Sequence, residues 1–97
     1  MERSRSMPIS ILIPTPLRKI TADADVVTVD AGTVGEIIDG VDRIHPGFRD
    51  RICGADGKLR RFINIYINGE DIRFLENLQT PVSDGAEVSI VPAIAGG

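Results

Sequence analysis

The chain has 97 residues, of which 42% are hydrophobic and 26% charged, as is typical of one folded domain. The net charge of −3 argues against a nucleic-acid-binding protein, and the apolar run at residues 9–13 is too short to span a bilayer. The single cysteine excludes an internal disulfide. We therefore expect a cytoplasmic protein that binds neither nucleic acid nor a membrane. We also expect it to be a monomer when free.

The first half of the chain predicts two strands and a helix. Residues 9–13 alternate with the period of a strand, and the β-branched residues 25–29 predict a second strand that could form a hairpin with the first. Thr33 and Glu36 have the spacing of a capping box, which predicts a helix start, and Pro46-Gly47 predicts its end. The apolar face of this helix is predicted to hold Val34, Ile37, Ile38, Val41 and Ile44, and its water-facing side Asp39, Asp42 and Arg43.

The second half predicts one more helical turn and three strands. Residues 48–52 are interpreted as the helical turn, and residues 54–57 as a mobile loop. Strict alternation over residues 62–68 predicts a strand, and Asn68-Gly69 predicts a tight hairpin turn. A short strand is expected near residues 71–74, and a last strand at residues 87–91 is expected to end at Pro92.

This order of elements predicts an α+β domain, a mixed sheet with one main helix packed on one face. The predicted organisation is a disordered leader at residues 1–7, a domain at 8–92 and a flexible Gly-Gly tail at 93–97. Periodicity does not decide whether the first and last strands are neighbours.

The tail Ala93-Ile94-Ala95-Gly96-Gly97 has a composition suited to entering a narrow channel. Five extended residues reach on the order of 17 Å, and the last two have no Cβ, so a partner's backbone could close around them. An α-carboxyl has a pKa of roughly 3.3–3.7 and is an anion at neutral pH, able to attack the α-phosphorus of ATP. The alternative is a frayed terminus without function.

Three segments together carry a family resemblance: Arg61–Asn68, Asp71–Phe74, and Asp84-Gly85 leading to Pro92–Gly97. Over residues 8–97 the chain resembles the MoaD/ThiS family of ubiquitin-like sulfur carriers and, within it, the carrier of thiocarboxylate-dependent cysteine biosynthesis. The resemblance implies a β-grasp (ubiquitin-like) fold in which the first and last strands lie adjacent and parallel in the middle of the sheet.

The resemblance also implies a function for the tail. Gly97 would be adenylated by an E1-like enzyme that uses ATP and would then carry sulfur as a C-terminal thiocarboxylate. Gly96 would thread the channel with it, and Ala93, Ile94 and Ala95 would contact the partner. The chain would be a protein co-substrate rather than an enzyme, without a bound cofactor or metal. A biosynthetic enzyme would accept the sulfur, and the leading choice is a cysteine synthase-like enzyme.

Several alternatives stay open beside this one. Within the same chemistry, the chain could be the small subunit of molybdopterin synthase or a carrier for another sulfur-containing metabolite. Outside it, the chain could be a ubiquitin-like protein modifier or a non-catalytic β-grasp binding module with an inert tail.

Other reactive side chains are interpreted as structural or solvated. A free thiol with a pKa of about 8.5 is mostly protonated at pH 7, so Cys53 is interpreted as a small buried hydrophobe. His45 is interpreted as a helix cap rather than a base for Cys53. The remaining charged side chains are interpreted as solvated: Asp39, Asp42, Asp50 and Asp56, and the basic run Lys58, Arg60 and Arg61. The basic run could also contact an acidic surface of a partner.

A docking surface beside the tail is also predicted. If the three isoleucines at 63, 65 and 67 face the helix, alternation puts Phe62, Asn64 and Tyr66 on the uncovered sheet face, with Leu12 and Val91. We predict that Phe62 and Tyr66 bind partners there. The alternative is that these side chains are scattered singly or covered by loops.

Overall fold

The computed structural model describes residues 8–30 and 32–92. The predicted leader at 1–7, Ala31 and the predicted tail at 93–97 lie outside the described residues. The regular elements are β1 (Ile9–Leu12), β2 (Val26–Val29), β3 (Gly32–Thr33), α1 (Val34–Ile44), α2 (Phe48–Ile52), β4 (Ile63–Ile67), β5 (Glu70–Asp71), β6 (Pro81–Val82) and β7 (Glu87–Pro92), with single 3-10 turns at Thr15–Leu17, Ile72–Phe74 and Asn77–Gln79.

Five strands form one mixed sheet in the order β2-β1-β7-β4-β5. β1 pairs antiparallel with β2, as the hairpin prediction required, and parallel with β7, where Ile11 lies opposite Val88. β7 pairs antiparallel with β4, where Ile65 lies opposite Ile90. The predicted α+β class is therefore confirmed, as is the central parallel pair formed by the first and last strands of the sheet.

Helix α1 packs on one face of this sheet, and its start is set by a capping box. Thr33 Oγ1 accepts a hydrogen bond from the Glu36 N–H at 3.2 Å, and Glu36 Oε1 accepts one from the Thr33 N–H at 2.9 Å, which satisfies two helix donors that would otherwise be unpaired. The main apolar side chains buried between the helices and the sheet are Ile9, Ile11, Ile13, Val34, Ile37, Ile38, Val41, Phe48, Ile52, Ile63, Ile65, Val88 and Ile90.

One prediction for α1 was wrong, and a second was incomplete. Ile44 is 56% exposed, because it is the last residue of the helix and lies over a surface depression beside the edge strand β2. Asp42 does not simply face water, because its Oδ1 accepts hydrogen bonds from the N–H groups of Gly47 at 3.1 Å and Arg49 at 3.0 Å. It thereby connects α1 to the start of α2.

The hairpin after β4 has the predicted turn but a shorter second strand. Asn68 and Gly69 both have positive φ, at 49° and 89°, as a type I′ turn requires. The strand predicted near residues 71–74 ends at Asp71, whose side chain accepts a hydrogen bond from the Arg73 N–H at 2.9 Å. Such a local bond favours a turn over a strand, and Ile72–Phe74 accordingly forms a 3-10 turn.

A second, two-stranded sheet was missed in the sequence. β3 pairs antiparallel with β6, with Thr33 opposite Pro81, so the start of α1 is connected to the segment before β7. No helix within residues 8–30 and 32–92 is long and apolar enough to cross a membrane.

Candidate functional site

β7 leads to the predicted tail from the middle of the sheet. It is hydrogen-bonded on both sides, to β1 and β4, and its Val88 and Ile90 side chains are buried. Its first residue is held in register because Glu87 O accepts from the Asn68 N–H at 2.8 Å and the Glu87 N–H donates to Asn68 Oδ1 at 3.0 Å. Pro92, its last residue, lies opposite Ile63. The proposed tail therefore begins next to the first residue of β4.

The uncovered face of the sheet contains most of the predicted docking residues. Paired residues of neighbouring strands point to the same face, and Tyr66 and Leu12 both lie opposite Ser89, while Asn64 lies opposite Val91. These five side chains therefore lie on the face opposite the buried isoleucines. Val91 is 43% exposed, and Tyr66, Asn64 and Leu12 are half-buried.

Two further large apolar side chains, those of Phe62 and Val26, are exposed. Phe62 is 52% exposed but lies in the turn before β4, so strand pairing does not set its direction. Val26, which the sequence analysis did not include, lies opposite Leu12 and is 42% exposed. The signal for Val26 was its position in a strand expected to pair with the first one.

Arg73 stabilises the start of β4, which lies beside the beginning of the proposed tail. The sequence analysis did not predict this role. The Arg73 guanidinium donates to Asn64 Oδ1 and to the backbone carbonyls of Ile63 at 2.9 Å and Arg61 at 3.3 Å. β5 pairs only with the far end of β4, so the Arg73 side chain takes the place of a neighbouring strand at the near end. The sequence offered only the Asp71–Phe74 segment as a signal.

Cys53 has the environment of a structural residue. Its free thiol is 3% exposed, and burial raises the pKa of the Cys53 thiol, although the nearby charge of Arg49 acts in the opposite direction. A raised pKa keeps the sulfur protonated and unreactive at neutral pH. No hydrogen bond joins Cys53 to His45 among the described residues, and His45 is the C-cap of α1.

The predicted solvated charges mostly serve local structure. Asp39 forms an ion pair with Arg49, and Asp56 Oδ1 accepts from the Lys58 N–H at 3.0 Å within the turn at residues 54–58. Lys58, Arg60 and Arg61 are exposed. Residues 8–30 and 32–92 contain no group of three or more His, Cys, Asp or Glu side chains that could hold a metal ion.

Comparison with known families identifies the group to which this fold and tail belong. A family described as the ThiS family matches residues 11–97. The chain belongs to the ThiS family. The resemblance predicted from the tail, the hairpin segment and the last turn is thereby confirmed.

Individual relatives of this ThiS-family chain are described as sulfur carriers or have the same fold. It is 40% identical over 93 residues to the sulfur carrier protein CysO of Mycobacterium tuberculosis, an alignment that covers 94% of this chain and 100% of the relative. A chain of the crystal structure of the Amycolatopsis orientalis BexX/CysO complex is 44% identical, with a TM-score of 0.86 and coverage of 92% of this chain and 99% of that one. The β-grasp fold is thereby confirmed.

A third relative bears a different description. The small archaeal modifier protein 3 of Haloferax volcanii is 31% identical over 68 residues, which cover 70% of this chain and 73% of the relative. The ThiS-family scaffold is therefore shared by proteins described as carriers and by proteins described as modifiers.

Proposed function

We propose that this chain is a sulfur carrier protein in which the carboxylate of Gly97 is adenylated and converted to a thiocarboxylate. The observation that carries the proposal is the ThiS-family match through residue 97 together with the near-full-length similarity to CysO. The chain acts as a protein co-substrate, a monomer when free, and an E1-like enzyme supplies the ATP-binding site. It acts in the cytoplasm, where ATP is abundant and a free cysteine stays reduced.

The chemistry takes place entirely at the Gly97 carboxyl group. One carboxylate oxygen attacks the α-phosphorus of ATP, pyrophosphate leaves, and an acyl adenylate forms. Sulfide then attacks the carbonyl carbon, and AMP leaves with the original carboxylate oxygen, so one oxygen has been replaced by sulfur. The acyl group acidifies this sulfur, so the thiocarboxylate is ionised at neutral pH and is a better nucleophile than an ordinary thiol.

The scaffold suits this chemistry because it separates a rigid base from a narrow tail. Central pairing fixes β7 as far as Pro92, and five extended residues beyond it reach on the order of 17 Å. Ala93, Ile94 and Ala95 contact the walls of the partner's channel, and Gly96 passes its narrowest part because it has no Cβ. The domain itself is too wide to follow and stays at the channel entrance.

Intact-mass spectrometry tests the proposal directly. The purified chain is incubated with ATP, sulfide and a cognate E1-like enzyme, and the expected product has one oxygen atom replaced by one sulfur atom. Omission of ATP is the control and should leave the mass unchanged. An unchanged mass in the complete reaction, with an enzyme that loads its own known carrier, contradicts the proposal.

The acceptor that we propose is a cysteine synthase-like enzyme. The similarity to CysO supports this choice, and the Amycolatopsis orientalis CysO, which was crystallised in a complex with BexX, supports docking on a partner protein. A small subunit of molybdopterin synthase would instead co-purify with a larger catalytic subunit.

A protein modifier is the second candidate function, and the similarity to small archaeal modifier proteins favours it. The adenylate would be the same, but a lysine amine rather than sulfide would attack it. Higher-mass conjugates on denaturing gels, lost when Gly97 is deleted, would support this function.

Tyr66, on the uncovered face, and Phe62, in the turn before β4, are proposed to contact the activating enzyme. We expect the double change Phe62→Ser and Tyr66→Ser to lower kcat/KM for adenylation by about tenfold or more, because loss of aromatic anchors costs binding energy. The measurement is the rate of pyrophosphate release at varied carrier concentration. Ile44→Ser is the matched control, since Ile44 is equally exposed but lies on the helix side of the sheet. Equal effects of both changes would contradict a specific docking surface.

A further inference from the structure

Four exposed basic side chains lie close to the point where β7 ends. Arg51, Lys58, Arg60 and Arg61, here called the basic rim, line one surface depression of about 440 Å³ together with Phe62 and Ile63. Since Ile63 lies opposite Pro92, this depression adjoins the start of the proposed tail.

One guanidinium of the rim, that of Arg60, is held in place, and no ion pair within residues 8–30 and 32–92 neutralises the rim. Arg60 donates from Nε at 3.0 Å and from Nη2 at 2.8 Å to the backbone carbonyl of Asp50. A carbonyl acceptor fixes the guanidinium without cancelling its charge. The side chains of Lys58 and Arg61 make no hydrogen bond within residues 8–30 and 32–92, and the one ion pair in that part of the chain is Arg49–Asp39. Asp56 is the single carboxylate that lines the depression.

This local charge is opposite in sign to that of the whole chain. The net charge is −3, and the depression beside the edge strand β2 is lined by Asp30, Glu36 and Asp39 with Arg43 as its one cation. β2 and β4 are separated in the sheet by β1 and β7. The acidic depression therefore adjoins the edge strand β2, whereas the basic rim adjoins β4 and the start of the proposed tail.

We propose that the basic rim docks against an acidic surface at the channel entrance of the E1-like enzyme that receives the tail. This inference rests on the proposed function. Opposite charges attract the two proteins before contact and favour the orientation in which the tail faces the channel. Five extended residues reach on the order of 17 Å, so a tail extended into the channel would put the reacting carboxylate far from the rim. The rim therefore affects capture of the carrier and leaves the chemical step unchanged.

Arg61→Glu tests the proposal, with Arg43→Glu as the matched control. Both side chains are exposed arginines, and both substitutions change the net charge equally. Adenylation by the cognate E1-like enzyme is followed by pyrophosphate release at about 0.02 M and about 0.5 M ionic strength, where charges are weakly and strongly screened. We expect Arg61→Glu to raise KM about tenfold at low salt, with kcat unchanged and the difference much reduced at high salt. Arg43→Glu and the conservative Arg61→Lys should stay within about twofold of the wild type, and thermal melting checks that each variant is folded.

Three outcomes would overturn the proposal. If the wild type is adenylated and Arg61→Glu has the same KM and salt dependence, the rim does not dock. If Arg43→Glu raises KM as much as Arg61→Glu, the overall charge rather than the rim controls capture. If the wild type itself is never adenylated, both the proposed function and this inference fail.

Discussion

Deletion of Gly97 is expected to abolish sulfur loading while leaving the domain folded. The shortened chain still ends in a carboxylate, that of Gly96, but this group lies about 3.3–3.6 Å short of the position that Gly97 would reach. Because a displacement of about 1 Å at a reacting group can reduce the rate by about 10²-fold, we expect the adenylation rate to fall by at least that factor. Intact mass after incubation with ATP, sulfide and a cognate E1-like enzyme gives the measurement.

Two controls separate the position of this carboxylate from other effects on the tail or the sulfur. Ala95→Gly keeps the tail length and removes only one proposed wall contact, so it should reduce loading far less than the deletion does. Cys53→Ala removes the one thiol and should also load, since Cys53 is buried and its pKa is raised by that burial. Normal loading of the Gly97 deletion, or loss of loading in Cys53→Ala with the domain still folded, would assign the sulfur to a different site.

Prediction from the sequence succeeded where the signal was local. The alternation at residues 9–13 and 62–68 and the capping box at Thr33 and Glu36 each depend on neighbours within a few positions, and all three appear in the structure. The central parallel pair of β1 and β7 joins residues far apart in the chain. Only the family resemblance predicted it, because periodicity has no information about which strands pair.

The wrong and the missed predictions depend on tertiary contacts, or on their absence, which a local sequence pattern does not show. Ile44 continues the apolar spacing of α1, but the sheet does not extend far enough to cover it. Ile72 is buried, yet the Asp71 side chain bonds to the Arg73 N–H and turns the chain away from a strand. The pairing of β3 with β6 involves two residues on each side, which is too few for alternation to be visible.

The candidate site was predicted only in part, because some of its features depend on contacts between residues far apart in the chain. Tyr66 and Val91 lie on the uncovered face, as strand alternation implied. The basic run at Lys58, Arg60 and Arg61 was visible in the sequence, but its position beside the tail depends on the register between β4 and β7. The stabilisation that Arg73 provides likewise depends on tertiary contacts. Gly97 lies outside the described residues, so its role stays a prediction.

Replacement of a buried residue in β7 is expected to have the largest effect on stability. Ile90→Ala removes a side chain that is 4% exposed and lies opposite Ile65 in the core. Such a change lowers the free energy of unfolding by about 2–5 kcal/mol, a large part of the roughly 5–15 kcal/mol that holds a domain folded. In a chain of this length we expect the midpoint of thermal unfolding to fall by more than about 10 °C. Circular dichroism on heating gives the measurement.

Val91→Ala is the control for this prediction, because Val91 is the next residue in the same strand and points to the uncovered face, 43% exposed. Its cost should stay below about 1 kcal/mol. The same pair also separates stability from chemistry, since Ile90 is buried in the core, away from the surface that a partner could reach. At a temperature where Ile90→Ala is still folded, it should therefore load Gly97 at the wild-type rate. Equal destabilisation by both changes would mean that the two faces of β7 are not distinguished by burial, which contradicts the structure.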